Sequence, residues 1–174
     1  MENGKITAEK IISGFIDSRM VESGSKLFPN TYLDHWEADI LELTKSDYLY
    51  EYEIKVSRAD FKNDSKKKRR YWSGSEVTKY SELHNGNRVN NFSYIVPEGL
   101  IKPEEVPEFA GLIYAKESTI RYFSHERGYY DKPVVFFSTI KPAPRLSKEK
   151  ATDKRKMKLF ESCYYRFHKL RQNK

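Results

Sequence analysis

One cysteine, Cys163, stands among 174 residues, so no internal disulfide can form. A reducing compartment fits that usage. With no paired histidine evident, Cys163 reads as a small apolar residue on a helix rather than a nucleophile. No apolar run approaches the ~20 residues that a membrane span needs. The stretch MENGKITAEKIISGFID lacks the basic-then-apolar layout of a secretory signal. A cytoplasmic chain with no membrane role is therefore expected. A Gly-rich phosphate loop, a nucleophile elbow and zinc-ligand spacing are missing as well, which sets aside NTPase, esterase and zinc-finger chemistry.

Aromatic residues are plentiful, with thirteen Tyr and ten Phe. One domain with a real core is expected at this length. Basic charge is concentrated: from Lys141 to Lys174 there are twelve Lys/Arg against three Asp/Glu, which leaves 20 basic and 22 acidic groups for residues 1–140. The second basic feature is the run Lys66-Lys67-Lys68-Arg69-Arg70. Either cluster alone reads as a solvated face or tail. Together with an acidic metal-type patch they favour a polyanionic partner, in particular nucleic acid.

That patch comes from the segment WEADILEL-TKS-DYLYEYEIKVS, two apolar-alternating runs around a short polar break. A turn centred on Ser46 sets Leu43 opposite Leu49 and Leu41 opposite Glu51, then Asp39 opposite Glu53 and Glu37 opposite Lys55. Opposed residues share a face, with Cβ atoms roughly 4.5–5.5 Å apart. Ala38, Ile40, Tyr50, Tyr52, Ile54 and Val56 then form a buried face. Opposed carboxylates repel unless a cation lies between them. Oxygen ligands without Cys or His point to Mg²⁺ or Mn²⁺ rather than zinc. A salt-bridge ladder in which Lys55 neutralises its acidic neighbours fits the hairpin equally well.

Asp39, a gap of thirteen residues, then Glu53-Ile54-Lys55 resembles the PD-(D/E)XK nuclease superfamily. The longer run EYEIKVSRADFKND, with the lysine cluster, NNFSYIVPEGL and VPEFAGLIYA, is similar to small bacterial and phage MmcB-like DNA-repair nucleases, over roughly residues 5–116. The resemblance implies a restriction-endonuclease-like α/β core, αβββαβ, with a central mixed sheet flanked by helices. It implies a metal-dependent deoxyribonuclease in the cytoplasm of a bacterium or phage-infected cell. DNA would be the partner, whether single-stranded, duplex or branched, and a homodimer is allowed. Asp39 and Glu53 would hold Mg²⁺ or Mn²⁺ with the carbonyl of Ile54, and Lys55 would orient or help deprotonate the attacking water. Glu37 would partner Lys55, and Glu51 would be a distal ligand or an exposed acid. Glu9 and Glu22 are first-helix acids left unassigned. Lys66, Lys67, Lys68, Arg69, Arg70 and Lys79 would contact the nucleic acid, with Tyr71 stacking and Trp72 packing. Family members tend to carry Lys-His where this chain has Lys79-Tyr80, so no catalytic role is assigned to that loop; His84 reads as solvated and Trp36 as core. The alternatives are an inactive nucleic-acid-binding scaffold and a phage-encoded host-interaction factor.

The pattern predicts a helix from Thr7, its N-cap, to about Val21, and an irregular strand near Pro29. The hairpin strands fall at about 37–44 and 48–56. A helix capped by Ser57 follows to Trp72, then a polar loop over 73–90. Strands are expected at 92–96, 111–115 and 134–138, with a parallel crossover joining the hairpin to the first of them. Residues 1–140 form the expected core. Residues 141–174 form a basic extension whose helix docks by a stripe of Phe160, Cys163, Phe167 and Leu170.

Overall fold

A computed structural model describes residues 6–22, 24–70, 76–86 and 88–172. Tyr71 and Trp72 lie outside the described residues, as do the side chains of Glu22, Arg69 and Arg70. The fold is mixed α/β: a six-stranded mixed sheet flanked by helices, with a C-terminal helix.

Helix α1 (Ala8–Glu22) begins where Thr7 caps it, the Thr7 hydroxyl accepting from the Lys10 amide at 3.3 Å. Its Ile11 and Phe15 are buried on one sheet face with Ile40, Tyr52, Ile54, Ile95 and Ile113. Three antiparallel strands follow: β1 (Lys26–Leu33), β2 (Trp36–Leu43) and β3 (Leu49–Ile54). Asp34 and His35 turn β1 into β2, both with positive φ (48° and 85°), as a two-residue hairpin whose twist matches its strands requires. The next turn places Asp47 at φ 65°. It sets Leu43 against Leu49 and Leu41 against Glu51, the register the sequence pattern predicts.

Ser57 caps α2 (Arg58–Asp64), accepting from the Asp60 amide at 3.2 Å. The expected helix to Trp72 is not formed. Five consecutive cationic side chains would repel on a helix surface. The chain instead extends, and β4 (Lys68–Arg70) pairs with β5 (Glu76–Thr78). Within the expected loop, Thr78 caps a short helix, α3 (Lys79–His84). Strand β6 (Asn91–Pro97) lies parallel to β3, and β7 (Gly111–Ser124) lies parallel to β6. β8 (Gly128–Lys141) returns antiparallel to β7, giving the sheet order β1-β2-β3-β6-β7-β8. Both last strands have 14 residues, far longer than the five-residue pieces the alternation suggests.

The other sheet face carries Leu33, Leu41, Leu49, Phe92, Tyr94 and Leu112. Ala38, expected with Ile40, belongs to this second cluster. Residues 142–152 run without regular structure over the end of the sheet, tied by Leu146 to Asn90 (2.8 Å) and by Ala151 to Asp47 (2.7 Å). Helix α4 (Asp153–Gln172) docks on β1 through buried Leu159 and an edge contact of Phe160 with Phe28. The expected stripe is docked only in its first half. Phe167 and Leu170 are exposed, because the helix runs on past the apolar surface that β1 offers. No helix among the described residues is long and apolar enough to cross a membrane.

Candidate functional site

The ladder between β2 and β3 stops at Ile40 and Tyr52. One residue further out, the Asp39 carboxylate substitutes for the missing backbone partner and accepts from the Ile54 amide at 2.7 Å. Asp39 and Glu53 are therefore brought together at the end of the hairpin, near enough that the Glu53 charge acts on Asp39. Burial, and then the charge of Glu53, push Asp39 up from 3.8 to about 6, against the opposing pull of the Ile54 amide, Lys55 and Lys79.

Glu53 is the centre of a cation cluster. Its Oε1 lies 2.8 Å from both Lys55 and Lys67, and its Oε2 lies 2.7 Å from Lys79. Burial disfavours the charged carboxylate, but the ammonium groups of Lys79, Lys55 and Lys67 outweigh it and hold Glu53 well below the usual carboxylate range. Lys55 is only 3 % exposed and is shared between Glu53 and Asp64, the latter at 2.9 Å. Lys67, 44 % exposed, also reaches Asp64 at 2.9 Å. Its burial is outweighed by Glu53 and Asp64, which keep it firmly charged.

Three expectations for this site are corrected. Glu37 does not partner Lys55: its side chain accepts from exposed Tyr32 at 3.4 Å, and only its carbonyl faces the site, accepting from Lys79 at 3.3 Å. Glu51 is neither exposed nor an open ligand. It is fully buried between Lys79 (2.7 Å) and Arg88 (2.6 Å). Lys79 is not a surface contact for nucleic acid. At 1 % exposure it joins Glu51 to Glu53, and these two acids overcome its burial to keep it charged.

Of the remaining basic run, Lys66 hydrogen-bonds Asn63 at 3.2 Å and Lys68 pairs with Glu76 at 3.3 Å, both at the surface. Two residues escaped the sequence reading. Asp64, which also accepts from the Tyr94 hydroxyl at 2.8 Å, was signalled only as the last acid of the run EYEIKVSRADFKND. Arg88, which binds the carbonyls of Leu33 and Trp36 besides Glu51, sits outside any helix or strand and gave no signal.

With Asp39 ionised, four carboxylates (Asp39, Glu51, Glu53, Asp64) face four cations (Lys55, Lys67, Lys79, Arg88), and exposed Asp60 adds a fifth carboxylate 3.8 Å from Lys55. Asp39 alone of these has no ammonium in ion-pair contact among the described residues, and its pKa is raised first by burial and then by the neighbouring Glu53 charge, which Lys55 and Lys79 offset only in part. No group of three Asp, Glu, His or Cys able to hold a metal occurs among the described residues. An all-protein cage is thus not formed there; Mg²⁺ is commonly held by only one or two carboxylates, with water and substrate phosphate completing the shell. Asp39, Glu53 and the Ile54 carbonyl are the groups that could hold such a cation; Lys67, half-exposed, would have to leave Glu53, whose Oε1 and Oε2 would still contact Lys55 and Lys79.

No protein-family model matches this chain, and no curated protein matches it in sequence. Among solved structures, a protein of unknown function from Silicibacter pomeroyi is similar, with a TM-score of 0.53 at 18 % identity, covering 98 % of this chain and 90 % of that one. The likeness extends to the mixed α/β fold alone.

Proposed function

We propose that this protein is a metal-dependent nuclease of the PD-(D/E)XK type, with a restriction-endonuclease-like core, hydrolysing DNA phosphodiester bonds with Mg²⁺ or Mn²⁺. The observation that carries the reading is Asp39: a carboxylate just past the end of the β2–β3 ladder, beside Glu53, raised to about 6 and without an ion-paired ammonium among the described residues. Asp39, Glu53 and the Ile54 carbonyl would hold the ion, which when bound would polarise the phosphodiester and lower the pKa of water. Lys55, fixed between Glu53 and Asp64, keeps a positive charge beside the reacting centre and orients the attacking water. Lys67, exposed at the mouth, exchanges its contact with Glu53 for one with the substrate phosphate. Lys79 and Arg88 hold Glu51 and, through Lys79, fix the rotamer of Glu53.

The test is incubation of the protein with single-stranded, duplex and branched DNA in Mg²⁺, Mn²⁺ or EDTA. Metal-dependent cleavage that Asp39→Ala or Lys55→Ala abolishes is expected. A second reading, a non-catalytic nucleic-acid-binding scaffold, is favoured by one observation: both Glu53 oxygens are already occupied by ammonium groups. Binding that persists without cleavage under every metal would select it.

A further inference from the structure

The inner half of the long β7–β8 hairpin packs on α1 through Val135 and Phe137, and its outer half lies apart from the acidic site. β3, β6 and β7 are mutually parallel in sequence of pairing, with Ile54 level with Ile95 and Ile95 level with Ile113. The pairing of β6 with β7 ends at Pro97 and Ala115. Beyond that rung no other strand among the described residues joins β7 and β8, which continue as a two-stranded arm, with α1 against its inner half through Gly14–Val135 and Lys10–Glu117, to the turn at residues 125–127. From Ala115 to Ser124 the arm rises roughly 30 Å at the usual strand spacing. It leaves the sheet at the edge where β3 delivers Glu53 and Lys55, two strands away.

Four large rings sit near the tip. Tyr122 and Tyr130 oppose one another, stacked with centroids 6.0 Å apart; Phe123 and Tyr129 oppose one another at 5.1 Å. Adjacent rungs point to opposite faces of the ribbon, so each face carries one aromatic pair. All four are exposed, Tyr129 by 70 %. Each face also has a cation over a ring: Lys132 lies 5.9 Å from the Tyr122 centroid, and Arg121 lies 5.3 Å from that of Tyr129.

We propose that this arm is a stacking platform for unpaired bases, so that the strand engaged is single-stranded or locally unpaired nucleic acid. An exposed ring beside a cation matches a nucleotide, which offers a flat base to the ring and a phosphate to the cation. A core-forming role is excluded by exposure on both faces. Between the arm and α1 a groove of about 650 Å³ runs from Glu117 outward to Tyr122 and Lys132, lined on the helix side by Lys10, Ser13 and Asp17. Its charges are of both signs, which suits an unstacked neutral base better than a phosphate. The proposal rests on the nucleic-acid part of the reading above and not on hydrolysis.

The experiment is fluorescence anisotropy in EDTA with thymidine and uridine oligonucleotides and with a blunt duplex. Two double variants are used, Tyr122→Ala/Tyr130→Ala and Phe123→Ala/Tyr129→Ala. Because the rings are solvent-exposed, both variants are expected to keep the wild-type circular dichroism. Each should lose on the order of tenfold or more in affinity for the single strands, with little change for duplex and an unchanged salt slope. Tyr129→Trp gives an independent reading: the added indole should be quenched by the single strand and not by duplex. Equal single-strand affinity in wild type and both variants, or no quenching of the added indole, overturns the proposal. So does a monomer shift on sedimentation of the variants, which would make the arm a contact between copies. Cleavage assayed alongside separates the two ideas: an active nuclease indifferent to the arm variants keeps the enzyme and loses the arm. Single-strand binding lost in the variants with no cleavage under any metal does the reverse.

Discussion

Asp39 is held in the protein at a cost. Its folded pKa of about 6 lies above the ordinary 3.8, so the folded state binds that proton more tightly than the unfolded state does. Above about pH 6 the charged side chain therefore disfavours folding, and the penalty fades as pH falls through 6 towards 4. Asp39→Asn keeps an acceptor for the Ile54 amide and removes the charge. It is predicted to raise stability by about 1–3 kcal/mol near pH 8 and by little near pH 4, read by urea melts at both. The cations around Glu53 divide by burial. Lys79→Ala leaves Glu51 and Glu53 short of a buried partner and should cost about 3–5 kcal/mol. Lys67→Ala, at a half-exposed pair, should cost under about 1 kcal/mol in the same melts.

At the scale of elements, legibility followed local signals. The hairpin register was readable because its turn length and its leucines agree on one pairing, and the Thr7 and Ser57 caps were readable from side-chain type. The end of α2 was not, because the lysine run looks helical by propensity and fails only through charge repulsion. The arm was not readable either: its outer half alternates ring against ring, so no apolar side announces a strand. Asp39, Glu53 and Lys55 stood out by spacing, whereas the burial of Lys79 and Glu51 depends on α3 and Arg88 folding over them, which no local pattern encodes. The β1–β2 turn carries a strain that can be relieved. His35 sits at φ 85°, a region costly to a residue with a Cβ. His35→Gly is predicted to stabilise by about 1 kcal/mol in thermal melts, leaving the Asp34–Arg155 ion pair in place.

For the whole molecule, the sheet places an acidic, ammonium-lined site at one edge and sends a long aromatic arm past the same edge, while α4 covers the far strand β1. Its basic charge resides largely in α4 and the segment leading to it. If nucleic acid binds there through phosphates, affinity should fall on the order of 10³-fold or more between ~50 and ~200 mM salt for about six contacts. Removing Lys169 and Arg171 should flatten that slope. An affinity that ignores salt would assign the basic face to a protein partner.

The most direct measurement is titration of Mn²⁺ into the protein, followed by calorimetry and by the electron paramagnetic resonance of the free ion. Binding near pH 8 is predicted, weakening below about pH 6 as Asp39 protonates and lost in Asp39→Asn. Binding that survives Asp39→Asn unchanged, or no binding near pH 8 at all, would contradict a divalent ion shared by Asp39 and Glu53.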